Sequence, residues 1–276
     1  MHKKEGLTRE VIRTFQNIIY SYFNQYGRDF PFRNEINPYN VVISEIMLQQ
    51  TQTNRVVEKF QQFIQKFPDF QSLANAPLNE VLKVWQGLGY NRRAVALKKI
   101  AERVVNEFDG ILPADIDILK SFPQIGHNTA SSIVAFAFNM PTFFIEVNIR
   151  RVYIYYFFPG KSSITDSVIV PIVRKTLDSS NVRKWYYALT DYGVMLKKTH
   201  PELNKRSAHY RKQAKFKGSN REVRGKILKL LIASSSLTEV EIFKELKINS
   251  KKLKEILNLL IKEGFIKQEK HGFSIT

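Results

Sequence analysis

Leu119-Lys120-Ser121-Phe122-Pro123-Gln124-Ile125-Gly126-His127-Asn128-Thr129-Ala130 reads as the end of one helix, a tight turn containing Gly126, and a second helix starting at His127 or Asn128. Backbone N–H groups at such a turn, and at the helix N-terminus after it, point outward and can hold a phosphate. Gln124, Gly126, His127, Asn128 and Thr129 are therefore candidate contacts to a nucleic-acid backbone. Turns of this form also serve as plain connections between helices, so the flanking sequence has to decide.

The flanks are helical almost throughout. Val11, Ile12, Phe15, Ile18, Ile19, Tyr22 and Phe23 recur at helical spacing, and Asn37-Pro38-Tyr39-Asn40 stops the chain and opens a helix that carries Glu45. Another helix is expected from about Arg55 to Phe67, with Val56, Val57, Phe60, Phe63 and Ile64 as its apolar set. Pro77-Leu78-Asn79-Glu80 opens the next, which ends at Gly87-Leu88-Gly89. A basic amphipathic helix is predicted over Asn91 to Phe108, closed by Asp109-Gly110. Strand signals are scarce before the C-terminus, so the main body, residues 1–205, is predicted all-α.

The bulk properties bound the function. A chain of 276 residues with 43% apolar content can bury one large domain and a small one. The formal net charge of +18 suits a polyanionic partner, because lysine and arginine that neutralise phosphates release condensed counterions. A generally basic proteome gives the same excess without any such partner. No cysteine is present, which excludes disulfides, thiol nucleophiles and thiolate-held zinc or iron–sulfur groups. His2, His127, His200, His209 and His271 show no metal-ligand spacing, so no metal and no cofactor are expected. No stretch reads as a membrane span, and the start lacks the apolar core of a signal peptide, so a cytoplasmic location and no membrane partner are expected.

Two isolated acids carry the chemistry. In Ile43-Ser44-Glu45-Ile46-Met47-Leu48-Gln49-Gln50-Thr51-Gln52, one carboxylate sits on an apolar helix, where burial raises its pKa toward that of a general acid. The polar tail after it suits contacts to the edges of an opened base pair. Phe144-Ile145-Glu146-Val147-Asn148-Ile149-Arg150-Arg151-Val152 places a second acid among apolar residues. Glu146 can also be read as a simple helical ion pair with Arg150 or Arg151.

Glu45 with its glutamine-rich tail, Trp85-Gln86-Gly87-Leu88-Gly89-Tyr90, the hairpin and the Glu146–Arg151 segment follow one another in a familiar order. Over about residues 8 to 200 the chain resembles the MutY-type adenine DNA glycosylases of the helix-hairpin-helix, endonuclease III-like superfamily. The resemblance implies a two-lobed all-α fold with a base pocket between the lobes. It implies that Glu45 protonates a flipped adenine and that Glu146, where the family has aspartate, stabilises the developing oxocarbenium, with Asn148 positioning the acids. Gln49 and Tyr90 fall on residues that wedge into the duplex, with Gln50 and Thr51 beside them. Phe32, Arg33, Leu48, Tyr187 and Asp191 fall at the base pocket, Tyr187 where the family has a glutamine that reads adenine. The hairpin's usual form is Leu-Pro-Gly-Val-Gly, and Gln124 replaces its first glycine. Asn128 stands where bifunctional relatives carry a Schiff-base lysine, which implies a monofunctional enzyme with weak or no strand cleavage. Lys197 stands at the first of the family's four cluster cysteines, and the other three are also missing.

A basic stretch, residues 206–218, reads as a linker or a phosphate-facing arm. In residues 219–276, Ser219 with Glu222 and Thr238 with Glu241 fit capping boxes, and a third helix is predicted from about Lys251 to Glu263. Leu253, Ile256, Leu257 and Leu260 face inward on it, and Gly264 stops it. Phe265-Ile266-Lys267 and Phe273-Ser274-Ile275 then flank His271-Gly272 like a small hairpin. This is the winged-helix pattern, and Lys251, Lys252 and Lys254 favour DNA over a protein partner. It stands where the family has its 8-oxoguanine-recognising domain.

The expectation is a monomeric base-excision glycosylase acting on double-stranded DNA with a mispaired or damaged base, adenine opposite 8-oxoguanine or guanine first. Thymine or uracil opposite guanine, or a non-catalytic DNA-binding protein of the same fold, are the competing readings.

Overall fold

Apolar residues at three- and four-residue spacing, with polar caps between them, turn this sequence into a succession of short helices. The computed structural model describes residues 6–212, 215–234, 236–270 and 272–276. His2, His271 and part of the 206–218 stretch lie outside the described residues. The helices are α1 (Arg9–Tyr26), α2 (Pro31–Asn34), α3 (Pro38–Leu48), α4 (Thr53–Lys66), α5 (Phe70–Asn75), α6 (Leu78–Trp85), α7 (Arg92–Phe108) and α8 (Ile116–Lys120). They continue as α9 (His127–Phe138), α10 (Val147–Phe157), α11 (Asp166–Thr176), α12 (Val182–Thr199), α13 (Asn220–Ala233), α14 (Glu239–Leu246) and α15 (Ser250–Lys262). A 3₁₀ turn covers Leu203–Arg206, and two strands, β1 (Ile266–Glu269) and β2 (Gly272–Ile275), end the chain. The all-α main body is as expected, with helix ends displaced by one or two residues. Among the described residues no helix is long and apolar enough to cross a membrane.

The molecule divides into two compact units. The first comprises Met1–Glu45, Pro113–Ser121 and Ile125–Lys212. Its core is built where α1, α10 and α12 pack together. Phe15 is fully buried there, its ring 5.0 Å from Phe157, 5.6 Å from Tyr153 and 5.7 Å from Trp185. Edge-on contacts of this kind suit the aromatic quadrupole, and truncating such a ring to alanine costs about 3–5 kcal/mol. α9 presents Ala130, Ile133, Val134 and Ala135 to the interior, and its small residues let α12 approach it.

The second unit comprises Ile46–Leu112, Phe122–Gln124 and Gln213–Thr276. Phe60, Phe63 and Trp85 from α4 and α6 fill one part of its core. In the C-terminal part, α13, α14 and α15 enclose Ile227, Leu228, Ile242, Leu253, Ile256 and Leu257. β1 and β2 pair antiparallel, Ile266 opposite Ile275, and Leu237 adds main-chain hydrogen bonds to Phe273 of 3.0 and 2.8 Å. Three helices and this small sheet reproduce the winged-helix pattern. Thr238 and Glu241 form the full capping box. Ser219 and Glu222 form only half of one: Ser219 accepts from the Glu222 N–H, but the Glu222 carboxylate takes the N–H of Gly218 at 2.6 Å.

Candidate active site

Helix α3 buries Val41, Val42, Ile43, Ile46 and Met47, which leaves Glu45 half-buried on an otherwise apolar cylinder. Its partner comes from α9: the Ser132 hydroxyl donates to Oε2 of Glu45 at 2.5 Å. Burial is the main influence on this carboxyl and lifts its pKa from the ordinary 4.5 to about 7. The Ser132 hydrogen bond pulls it down, the nearby charge of Glu146 pushes it up, and Arg33 pulls it down. Such a group holds a proton near neutrality and can give it away.

Glu146 is the N-cap of α10, not a partner of a helical arginine. Its carboxylate accepts the N–H groups of Asn148 and Ile149, each at 2.8 Å, and the Asn148 side-chain amide at 3.1 Å. Arg150 instead pairs with Asp166 through two hydrogen bonds of 2.7 Å. Arg151 donates to the Asn148 Oδ1 at 2.7 Å and to the Gly193 carbonyl at 2.6 Å. Asn148 is thereby held between Glu146 and Arg151. Burial raises the Glu146 pKa, opposed by the two main-chain donors and by the charges of Arg151 and Arg150. A helix N-terminus that supplies donors favours the ionised form, so the main-chain donors and the arginines work against the upward push of burial on Glu146.

The expected pocket residues of the first unit gather around Arg33. Its guanidinium donates to Asp191 at 2.9 and 2.8 Å and lies 4.4 Å over the centroid of the Tyr187 ring. Tyr187 stacks in turn on Phe136, with centroids 4.7 Å apart and rings within 11° of parallel. Burial pushes the Tyr187 hydroxyl up to about 12, so it stays a neutral donor. Asp191 is almost fully enclosed and also takes both the backbone N–H and the guanidinium of Arg28. Burial would raise its pKa, but Arg33 and Arg28 outweigh that and hold it below the usual carboxylate range. Asp191 thus orients arginines. Phe32 is buried, stacked 5.1 Å from Phe30.

Leu48, Gln49, Gln50, Thr51, Tyr90 and Gln124 belong to the second unit. Gln49 Nε2 reaches the Gln124 carbonyl at 3.2 Å, so the proposed wedge and the hairpin turn touch. Gln50 and Tyr90 have φ of 54° and 48°, a left-handed conformation unusual for side-chain-bearing residues. Arg93 stitches this region together. Its Nη1 donates to the carbonyls of Ile46, Met47 and Gln49, and its Nη2 to Thr51 Oγ1, Leu88 and Gly89. The carbonyl end of α3, which a helix leaves unpaired, is thereby satisfied by a buried cation. Burial lowers the Arg93 pKa to about 10, still well above neutrality.

At the hairpin, Gln124 adopts the positive φ of 62° that a glycine would take there. Gly126 is the N-cap of α9 at a φ of −90°, with open space where a Cβ would stand. His127 and Asn128 are exposed at the helix start, Thr129 less so, and Asn128 donates to the Ile145 carbonyl at 3.0 Å. Arg93, Ser132 and Arg28 are residues that the sequence did not single out, and Arg151, read there as a possible partner of Glu146, instead holds Asn148. Arg93 carried the one available signal, a cation on the apolar Ala94–Ala96–Leu97 face of α7.

The residues after α12 do not fit an iron–sulfur cluster, since that corner supplies no thiolate. It is closed by main-chain pairing: Ile164 N–H to the Arg206 carbonyl and Ala208 N–H to the Ile164 carbonyl, both 2.9 Å. Leu203 is buried beneath, and Arg206 donates to the carbonyls of Lys161 and Phe158. Among the described residues no group of histidine and carboxylate side chains is placed to hold a metal ion.

The profile of the HhH-GPD superfamily base excision DNA repair proteins matches residues 43–168, and that of the TFIIE alpha subunit matches residues 214–272. Adenine DNA glycosylase of Buchnera aphidicola subsp. Baizongia pistaciae is 35% identical over 196 residues, 69% of this chain and 55% of that protein. The Mus musculus adenine DNA glycosylase is 37% identical over 150 residues, 51% of this chain and 29% of that protein. The chain therefore spans about half or less of the length of these curated relatives. A thermostable thymine-DNA glycosylase has a similar fold, with a TM-score of 0.61 and 24% identity over 67% of this chain and 87% of its own. Endonuclease III in a trapped covalent DNA intermediate superposes with a TM-score of 0.52 at 21% identity, covering 69% of this chain and 86% of that one.

Proposed function

Because the chain belongs to the helix-hairpin-helix superfamily of base excision DNA repair proteins, we propose that it is a monofunctional DNA glycosylase. It hydrolyses the N-glycosidic bond of a mispaired base in double-stranded DNA, adenine opposite 8-oxoguanine or guanine. The observation that carries this reading is the pairing of unlike acids: Glu45, protonated up to about pH 7, beside the helix-capped Glu146. Separated roles for two carboxyls are what glycosidic cleavage requires.

In the proposed mechanism Glu45 gives its proton to a ring nitrogen of the extruded base. The electron pair of the C1′–N bond leaves with the base, and the deoxyribose takes on oxocarbenium character. Glu146 stabilises that cation, and water adds to C1′ and passes its proton to the Glu45 carboxylate left by the first step, which restores the starting state. Asn148 and Arg151 keep the Glu146 carboxylate aimed. Asn128 offers no amine, so no Schiff base forms from that position. Arg33 and Tyr187 supply polar groups at the base pocket, the Tyr187 ring itself being packed against the Arg33 guanidinium and Phe136. Gln49 and Tyr90 fill the gap that the base leaves. In this reading the protein acts as a monomer and without a metal; with no cysteine in the chain, no thiolate is available to hold a cluster.

The test is incubation of the purified chain with duplexes carrying A:8-oxoG, A:G, T:G or U:G, with and without alkali. Abasic sites at A:8-oxoG and A:G that break only on alkali treatment are expected, with no borohydride-trapped adduct. Cleavage confined to T or U overturns the adenine assignment, and binding without cleavage on every duplex overturns the enzyme. Affinity should fall steeply with salt, as phosphate contacts dictate.

A further inference from the structure

The C-terminal winged-helix module and the Tyr90 loop lie in the same compact unit and are joined through specific side chains. α13 packs on α6. Glu263, just after α15, binds Arg92 at the start of α7 and Arg224 of α13 at once. Chiefly through Arg92, and through Arg224, its carboxyl is held down to about 2, so the clasp stays ionised at all ordinary pH. Arg92 is only two residues from Tyr90.

Tyr90 itself is enclosed by cations from two sources. The Arg93 guanidinium lies 5.5 Å from its ring centroid, on the side of the α3 carbonyls. The Arg221 guanidinium, from the first turn of α13, lies 5.2 Å from the same centroid and donates to the Tyr90 hydroxyl. Both Tyr90 and Arg221 are half-buried. Tyr90 keeps a left-handed backbone at φ 48°, next to Gly87 and Gly89 at φ 94° and 71°. A side-chain-bearing residue in that region is disfavoured and persists only where its surroundings hold it. Arg93 holds the loop backbone through Leu88 and Gly89, and Arg221 holds the ring.

We propose that Arg221 is a positioning residue for base extrusion: the C-terminal module acts on the reaction by fixing the Tyr90 ring in the orientation in which it enters the duplex. This rests on the glycosylase reading above and extends it, since it makes the module part of the extrusion apparatus. A guanidinium that touches both the face and the hydroxyl of a tyrosine restricts the ring in both rotation and tilt.

The experiment uses the full chain and a duplex with 2-aminopurine beside an A:G mispair. Stopped-flow fluorescence reports extrusion, and single-turnover cleavage reports chemistry. Arg221→Ala should slow extrusion and single-turnover cleavage about fivefold to tenfold, as loss of one partly desolvated cation–π contact allows. Arg221→Lys should recover part of the rate, because a point charge keeps the attraction without the planar fork. The melting temperature of Arg221→Ala should stay near that of the wild type. Where that variant unfolds, Arg221→Gln replaces it. The decisive comparison is the Tyr90→Ala background, in which adding Arg221→Ala should change extrusion no further. Additive losses, accompanied by a lower salt slope on every duplex, would show Arg221 to be a phosphate contact and overturn the proposal. Unchanged extrusion in Arg221→Ala, with a wild type that does extrude, overturns this proposal alone. A wild type that extrudes no base from any mispair overturns the glycosylase reading and this proposal with it.

Discussion

The Ser132 hydroxyl on α9 donates to Oε2 of Glu45 across 2.5 Å, so the protonation of the proposed general acid is set partly by a neighbouring helix. Glu45 loses its proton as pH rises through about 7. The cleavage rate constant should therefore be flat below that pH and decline above it, approaching tenfold per pH unit. Ser132→Ala removes a donor that lowers the pKa, so its alkaline limb should move to higher pH. Single-turnover rates between pH 5 and 9 check both, and a limb displaced downward would refute the assigned role of Ser132.

The same shift carries a stability consequence. Glu45 in the folded chain binds its proton up to about pH 7, whereas an ordinary carboxyl releases it near 4.5. Stability from this group is therefore present below the lower value and lost as pH rises through the upper one. Glu45→Gln should unfold at a higher temperature than the wild type at pH 8 while cleaving at least about a hundredfold more slowly and still binding duplex. Thermal denaturation at pH 5 and pH 8 should show the advantage only at the higher pH.

Glu146 caps α10, and the proposed mechanism gives it a second, separable role as an anion. Glu146→Asn keeps a capping oxygen but not the charge, so it should melt near the wild type and cleave about a hundredfold more slowly or worse. Glu146→Ala should lose both, with about 1 kcal/mol of stability gone as well. Equal activity in Glu146→Asn and the wild type would remove the anion from the mechanism.

Gly193 lets α12 pass the Asn148 backbone at a distance that no side chain permits. A Cβ there would stand 2.3 Å from the Asn148 carbonyl oxygen and 2.7 Å from its carbon. Gly193→Ala must push α10 away, at a cost of about 1–3 kcal/mol, and it should reduce cleavage by misplacing Glu146. A variant with wild-type rate and stability would mean that α10 yields without harm.

Arg93→Met should be among the most destabilising single changes in the second unit. It strands the carbonyls of Ile46, Met47 and Gln49, which Arg93 now satisfies. A loss of about 1–3 kcal/mol for each buried carbonyl left unpaired is expected in denaturant titration, with Arg93→Lys intermediate, since an ammonium cannot reach acceptors on both sides of a fork.

How much of this was legible in the sequence depends on distance along the chain. The helices, the winged-helix segment and the hairpin announce themselves through local periodicity and caps, and Thr238 with Glu241 behaved as written. Glu45 stood out because a lone acid on an apolar helix is locally anomalous. Its partner did not: Ser132 lies 87 residues away in a helix of small residues, where one serine looks like any other. Glu146 invited a helical ion pair with Arg150, but the backbone turns extended at that residue, so its carboxylate folds over the helix start instead. Asp191 could be placed near the pocket only by resemblance. Its saturation by Arg28 and Arg33 depends on side chains about 160 residues away, as the separations of 163 and 158 show.

The corner closed by Ile164, Arg206 and Ala208 also determines which insults the chain withstands. Its bonds run from main-chain amides and the Arg206 guanidinium to carbonyls, groups that peroxide, nitric oxide and chelators do not attack. Because that pairing involves no thiolate, refolding after heat is expected to restore this part of the molecule as readily in an oxidising buffer as in a reducing one.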